Sequence, residues 1–168
     1  MSRLLHRGSV LLLRKPENVF DLRPAPAALL VDLEGTLTEF CPSRTAVIEA
    51  VTHFDEVAMR NGLDLHRLHY VTNLDLKELG DQYPGIPPRI HSHAHKPFFT
   101  PPAEFKLHGD GTFVVGDQYL TDGLLAWRFG FSFGLVEASG NQPAWPRMQL
   151  FVGHALSRMF FRVVERSR

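Results

Sequence analysis

A short apolar run, Ala27 to Val31, ends in Asp32-Leu33-Glu34-Gly35-Thr36, and this junction limits the possible folds more than any other stretch. An apolar run without alternation reads as a strand covered on both faces, the signature of a parallel sheet interior. In an extended segment residues two apart point the same way, so Asp32 and Glu34 can aim at one substrate. Gly35 permits a tight turn, with backbone N–H groups to offer an anion. Open α/β sheets keep their sites at the C-terminal ends of strands, where this carboxylate pair falls. A solvated Asp and Glu in an ordinary strand-to-loop turn is the plainer alternative.

The remainder of the chain supplies partners for that strand. Ser43 is a candidate helix N-cap, apolar residues recur at helical spacing from Val47 to Ala58, and Asn61-Gly62 ends the helix. Further strands are predicted at Leu68–Thr72, Arg89–Ser92, Thr112–Val115 and Phe131–Val136. Short helices are predicted within 75–80, around 103–107 and over 121–129, the last closing at Gly130. Strands alternating with helices predict a three-layer α/β domain, Rossmann-like, with a parallel sheet of about five strands and right-handed crossovers. Residues 1–168 read as a single domain whose core spans 27–136. A coil over 137–146 leads to a basic amphipathic helix over 147–168.

The balance of 18 acidic and 18 basic residues argues against a general nucleic-acid binder. Cys41 is the single cysteine, which excludes an intrachain disulfide and fits a reducing compartment. No run reaches the roughly 18 apolar residues of a membrane span, so the expected location is cytoplasmic. The N-terminus mixes Arg3, Arg7, Arg14 and Lys15 with Leu4, Leu5 and Val10 to Leu13. It reads as a packed segment, with contact on an anionic lipid surface as the alternative. The C-terminal helix carries the same pair of readings, and a dimer contact is a third.

Polar groups collect at the ends of the predicted strands. Thr72-Asn73 follows the second, Lys96 lies just past the third, and Gly116-Asp117 with Asp122 follows the fourth. A parallel sheet brings these to one rim. Three carboxylates in an oxygen-only environment suit Mg²⁺, while a hydroxyl, amides and a lysine suit a phosphoryl group. The combination points to phosphoryl transfer. His91, His93 and His95 would share a face of an extended strand and offer three imidazoles, but a solvated or hydrogen-bonded strand edge is the favoured reading, because the site already has its oxygen ligands.

Taken in order, Asp32-x-Glu34-Gly35-Thr36, Thr72-Asn73, Lys96-Pro97 and Gly116-Asp117-x4-Asp122 resemble the four motifs of the haloacid dehalogenase (HAD) superfamily of aspartate-nucleophile phosphatases. The third and fourth motifs look most like its small phosphatidylglycerophosphate phosphatase-like branch. The resemblance implies that Asp32 is the nucleophile and Glu34 the acid/base. It implies that Thr72, the Asn73 backbone and Lys96 bind phosphate, that Asp32, the Glu34 backbone carbonyl and Asp117 hold Mg²⁺, and that Asp122 holds the metal's water shell or orients Lys96. It implies a phosphorylated substrate, with a phospholipid headgroup at a membrane surface as the first guess. The short intervals after the first and second motifs leave no room for a cap domain, which suits a bulky or surface-presented substrate. Glu34 departs from the usual Asp by one methylene. The alternative it raises is a weakened or inactive relative that binds phosphate as a scaffold.

Overall fold

The unbroken apolar run becomes a central strand. In the computed structural model, which describes residues 8–74, 89–105, 107, 111–138, 140 and 143–164, the strand β2 (Ala28–Val31) is buried throughout. It lies in an all-parallel sheet with β1 (Gly8–Leu13), β3 (Leu68–Val71), β4 (Ile90–His91), β5 (Thr112–Gly116), β6 (Ser132–Val136) and β7 (Phe161–Val164). The order across the sheet is β4-β3-β2-β5-β6-β1-β7.

The five strands expected from the sequence are present, and the sheet has two more, built from the chain ends. β1 pairs with β6 from Val10↔Phe133 to Leu13↔Val136, and β7 adds outside β1. Within the N-terminal segment, Gly8–Leu13 is therefore part of the sheet. The C-terminal segment also differs from one continuous helix. Its helix α3 (Ala144–Phe160) starts a turn earlier than predicted, with Pro146 tolerated in the first turn, and it gives way to β7 at Phe161.

Side chains on alternate sides of the strands build two cores. Leu29, Val31, Leu68, Tyr70 and Val115 face α1 (Arg44–Arg60), which contributes Val47, Val51, Phe54 and Ala58. Leu30, Val71, Val114 and Phe133 face the opposite side and α2 (Leu124–Phe129) through Leu125 and Ala126. Ser43 caps α1 as predicted, its Oγ accepting from the Ala46 N–H at 3.2 Å. Asp55 of α1 ties that helix to the sheet, accepting from the Tyr70 hydroxyl at 2.7 Å and from Arg89 at 2.8 Å. The helix expected within 75–80 lies outside the described residues. No described helix is long and apolar enough to cross a membrane.

The strand order fixes where a site can form. From β2 the chain winds outward through β3 and β4, then returns to β5 on the other side and winds out through β6. The connections diverge between β2 and β5, and the crevice past their C-terminal ends is where such sheets bind ligands.

Candidate active site

Sheet register carries the polar groups to that crevice. Val31 pairs with Val115, so Asp32 emerges level with Gly116, and Asp117 follows one residue on. Val31 pairs with Tyr70 on the other side, so Thr72 emerges beside the same rim. Asp122 arrives through a five-residue π turn, Tyr119–Gly123, in which the Asp122 and Gly123 N–H groups both donate to the Gln118 carbonyl. Such wide turns are uncommon and recur at functional sites.

The central contact is a lysine between carboxylates. Lys96 Nζ lies 2.6 Å from Asp32 Oδ1 and 2.6 Å from Asp122 Oδ1. Its loop is held from two sides. Asn73 Oδ1 accepts from the Lys96 backbone N–H at 2.8 Å, and Arg128 of α2 donates to the carbonyls of Pro97 and Phe99. Burial works against the lysine's charge, but Asp122 and Asp32 more than offset it and raise its pKa. Asp122 is fully engaged, its Oδ2 accepting from Thr121 Oγ1 at 3.1 Å and the Gln118 N–H at 3.4 Å.

Asp117 is different. It is 1 % exposed, and neither carboxylate oxygen has a hydrogen-bond partner. Burial, with Asp122 adding repulsion, pushes its pKa up to about 7. Burial also raises the pKa of Asp32, against the attraction of Lys96. One oxygen each from Asp32, Asp117 and Asp122 falls within 4.8 Å of the others. With Lys96 these groups leave two negative charges in excess when ionised. A hard divalent cation would balance them, and the donors are all oxygen, so the residues fit Mg²⁺.

Two glycines make this crowding possible. A Cβ on Gly35, whose φ is +82°, would meet Asp117 Oδ2 at 2.6 Å, and one on Gly116 would meet Asp122 Cγ at 2.3 Å. The Gly35 turn does not serve as the backbone anion cradle the sequence suggested. The N–H groups of Gly35, Thr36, Leu37 and Thr38 donate within the loop, to the carbonyls of Thr38 and Leu33.

Glu34 lies past the strand, half-buried, with Oε1 accepting from the Cys41 N–H at 2.7 Å. It shares a pocket of about 230 Å³ with Asp32, Thr72, Asn73 and Lys96, so the structure brings the predicted groups to one cavity. Asp117 and Asp122 stand beside Asp32 without lining the pocket. The pocket wall also contains Phe40, Gln118, Thr121, Trp145, Pro146 and Gln149, which the sequence reading did not single out. Gln118 and Thr121 were signalled by lying within the Gly116–Asp122 string. Trp145, Pro146 and Gln149 come from α3, far along the chain, and had no signal of their own.

The three alternating histidines are not gathered at one point, although the ring centroids of His93 and His95 lie 6.1 Å apart. His91 sits against Phe105 with ring centroids 4.6 Å apart, while His93 and His95 have left-handed backbones and lie exposed. His69 stacks on Phe105 at 3.7 Å, and burial, then His91 and Arg89, lower its pKa to about 4. Above pH 6.5 it is neutral folded or unfolded. Between pH 6.5 and 4 the unfolded chain takes a proton that the folded one refuses, so the His69 contribution to stability falls with acid, by up to about 3 kcal/mol. His69→Leu should flatten this part of the curve in urea titrations. An unchanged acid limb would remove His69 as its source.

Comparison with protein-family models, curated proteins and solved structures finds no significant match to this chain.

Proposed function

We propose that this protein is a Mg²⁺-dependent phosphomonoester hydrolase of the HAD type, working through an aspartyl-phosphate on Asp32. The observation that carries the reading is the lysine-bridged cluster of three buried carboxylates at the sheet's switch point, opening on a pocket with Thr72 and Glu34. Neighbouring like charges are costly to bury, and groups perturbed in this way cluster at functional sites.

The chemistry follows from the positions. Asp32 Oδ1 is occupied by Lys96 and by the Leu33 N–H at 2.8 Å, which orients the second oxygen as nucleophile. Attack on phosphorus forms the Asp32–phosphorus bond and breaks the ester bond, and the departing oxygen takes the Glu34 proton. Water then attacks the same phosphorus, losing its proton to Glu34 and freeing Asp32, so the ester plus water gives alcohol plus phosphate. Lys96 offsets the charge gathered by nucleophile and phosphoryl group, Thr72 donates to a phosphoryl oxygen, and Asn73 and Asp122 hold Lys96 in place. Asp32 and Asp117, with the Glu34 carbonyl, would hold Mg²⁺, which would supply charge neutralisation at the phosphoryl oxygens. The Cys41 contact takes up the longer Glu34 side chain and leaves Oε2 as the proton carrier.

A pocket of about 230 Å³ takes a phosphoryl group with a small part of its alcohol and lies below the usual range for enclosing a whole metabolite. The rest of the substrate then lies outside, which favours a phospholipid headgroup phosphate, phosphatidylglycerophosphate being the first example to assay.

The test is phosphate release from an aryl phosphate with Mg²⁺ or EDTA. Turnover should require Mg²⁺ and fall to background in Asp32→Asn. Because Cys41 positions the longer acid, Glu34→Asp should be slower, on the order of 10²-fold. Turnover in Asp32→Asn equal to wild type would sink the mechanism. A silent wild type activated by Glu34→Asp would instead favour the phosphate-binding scaffold.

A further inference from the structure

Helix α3 leaves an apolar stripe uncovered. Gly153 is its one buried residue, packed against Tyr119 and Leu120 of the π turn. On the outer side, Trp145, Met148, Val152, Leu156 and Met159 follow one another at steps of three and four, with Phe151 beside them. Trp145 is 63 % exposed, Phe151 77 % and Met159 65 %. Soluble surfaces rarely leave a continuous stripe of this kind uncovered.

We infer that this stripe is a docking surface for an anionic phospholipid bilayer, and that it seats the protein with the pocket mouth at the headgroup layer. Two observations select lipid over a second copy of the chain. Arg147 and Arg158 border the stripe on its Phe151 side, Arg162 follows in β7, and neither α3 nor β7 contains an Asp or Glu. Antiparallel pairing of two such helices would set arginine against arginine, whereas an anionic surface complements them. The stripe also begins at the pocket itself, since Trp145 contributes to both. A partner covering the stripe therefore lies next to the pocket entrance, where a headgroup must enter. The surface rests on the proposed function only for the meaning of that position.

The experiment uses the full chain with Trp127→Phe, which leaves Trp145 as the single indole. It is mixed with vesicles of phosphatidylcholine, either pure or with about one-third phosphatidylglycerol. Cosedimentation and a blue shift of Trp145 emission are expected with the anionic vesicles and not the neutral ones. Replacing Arg147, Arg158 and Arg162 by Gln should lower the partition coefficient on the order of 100-fold at low salt, about fivefold per arginine. Phe151→Ser with Met159→Ser should lower it at least about tenfold while leaving aryl phosphate turnover and circular dichroism unchanged. No binding of wild type to anionic vesicles would overturn the proposal, as would binding undiminished in the Phe151→Ser/Met159→Ser protein. A wild-type dimer that this double variant dissociates would assign the stripe to a second copy instead. Because vesicle binding is read without substrate, its failure would leave the phosphatase reading standing, and the reverse holds too.

Discussion

Asp117→Asn is expected to abolish Mg²⁺-dependent turnover and, in EDTA at pH 8, to raise the melting temperature. The carboxylate is 1 % exposed, has no hydrogen bond at either oxygen, and stands beside Asp32 and Asp122. Lys96 attracts it but offsets only part of the cost of burial and of the repulsion from Asp122, so folding works against ionisation. With a folded pKa of about 7 against an ordinary 3.8, the cost is absent below pH 3.8, grows between the two values and is complete above 7. It amounts to at most about 4 kcal/mol. An amide of the same shape removes the charge, and the gain should shrink steadily as the pH is lowered toward 4. Mg²⁺ should then stabilise the wild type and leave the variant unmoved. A variant less stable than wild type in EDTA at pH 8 would show that Asp117 is a structural group with partners of its own.

The central fold was legible because each of its parts had a local cause. The apolar runs at Ala28–Val31 and Leu68–Val71 needed cover on both faces, Ser43 and Asn61-Gly62 bracketed α1, and Gly130 closed α2. The chain ends lacked such causes. Val10 to Leu13 is four apolar residues between basic ones, a pattern that suits an interfacial segment as well as a strand. It becomes a strand through pairing with β6, more than a hundred residues away. Phe160 to Val164 likewise fits the end of an amphipathic helix until β1 is there to receive it.

The site was legible to a similar depth. Strand ends located Asp32, Thr72 and Asp117, because register follows once the strands are parallel. The bond partners did not follow. That Glu34 bonds Cys41, that Asn73 holds the Lys96 backbone, and that Gly116 is required by the Asp122 carboxyl all depend on loop paths that no periodicity encodes. The crowding at Gly35 and Gly116 could be read only as turn chemistry from the sequence, whereas its structural reason is the approach of two carboxylates.

Lys96→Met should act in the opposite direction from Asp117→Asn on stability and in the same direction on activity. The lysine makes both ion pairs of the cluster, each at 2.6 Å, and its side chain is almost wholly buried. Methionine keeps the unbranched stem, ends one atom short of Nζ, and leaves three buried carboxylates without that cation. Breaking a buried pair from one side costs on the order of 3–5 kcal/mol, because the partner's charge stays behind. Turnover should drop at least about 10²-fold with the loss of charge at the phosphoryl site. Mg²⁺ should recover part of the stability and none of that turnover, since a cation can balance the carboxylates without replacing Nζ beside the substrate. The cost should also ease in acid, where the carboxylates can protonate. The decisive comparison is a cycle with Asp122→Asn. If the lysine is needed chiefly to balance Asp32 and Asp122, removing the second carboxylate should return more stability in the Lys96→Met background than in wild type, with a coupling of about 1–3 kcal/mol. Additive effects would mean that Lys96 is held by packing, and the charge balance that makes this cluster a site would lose its main support.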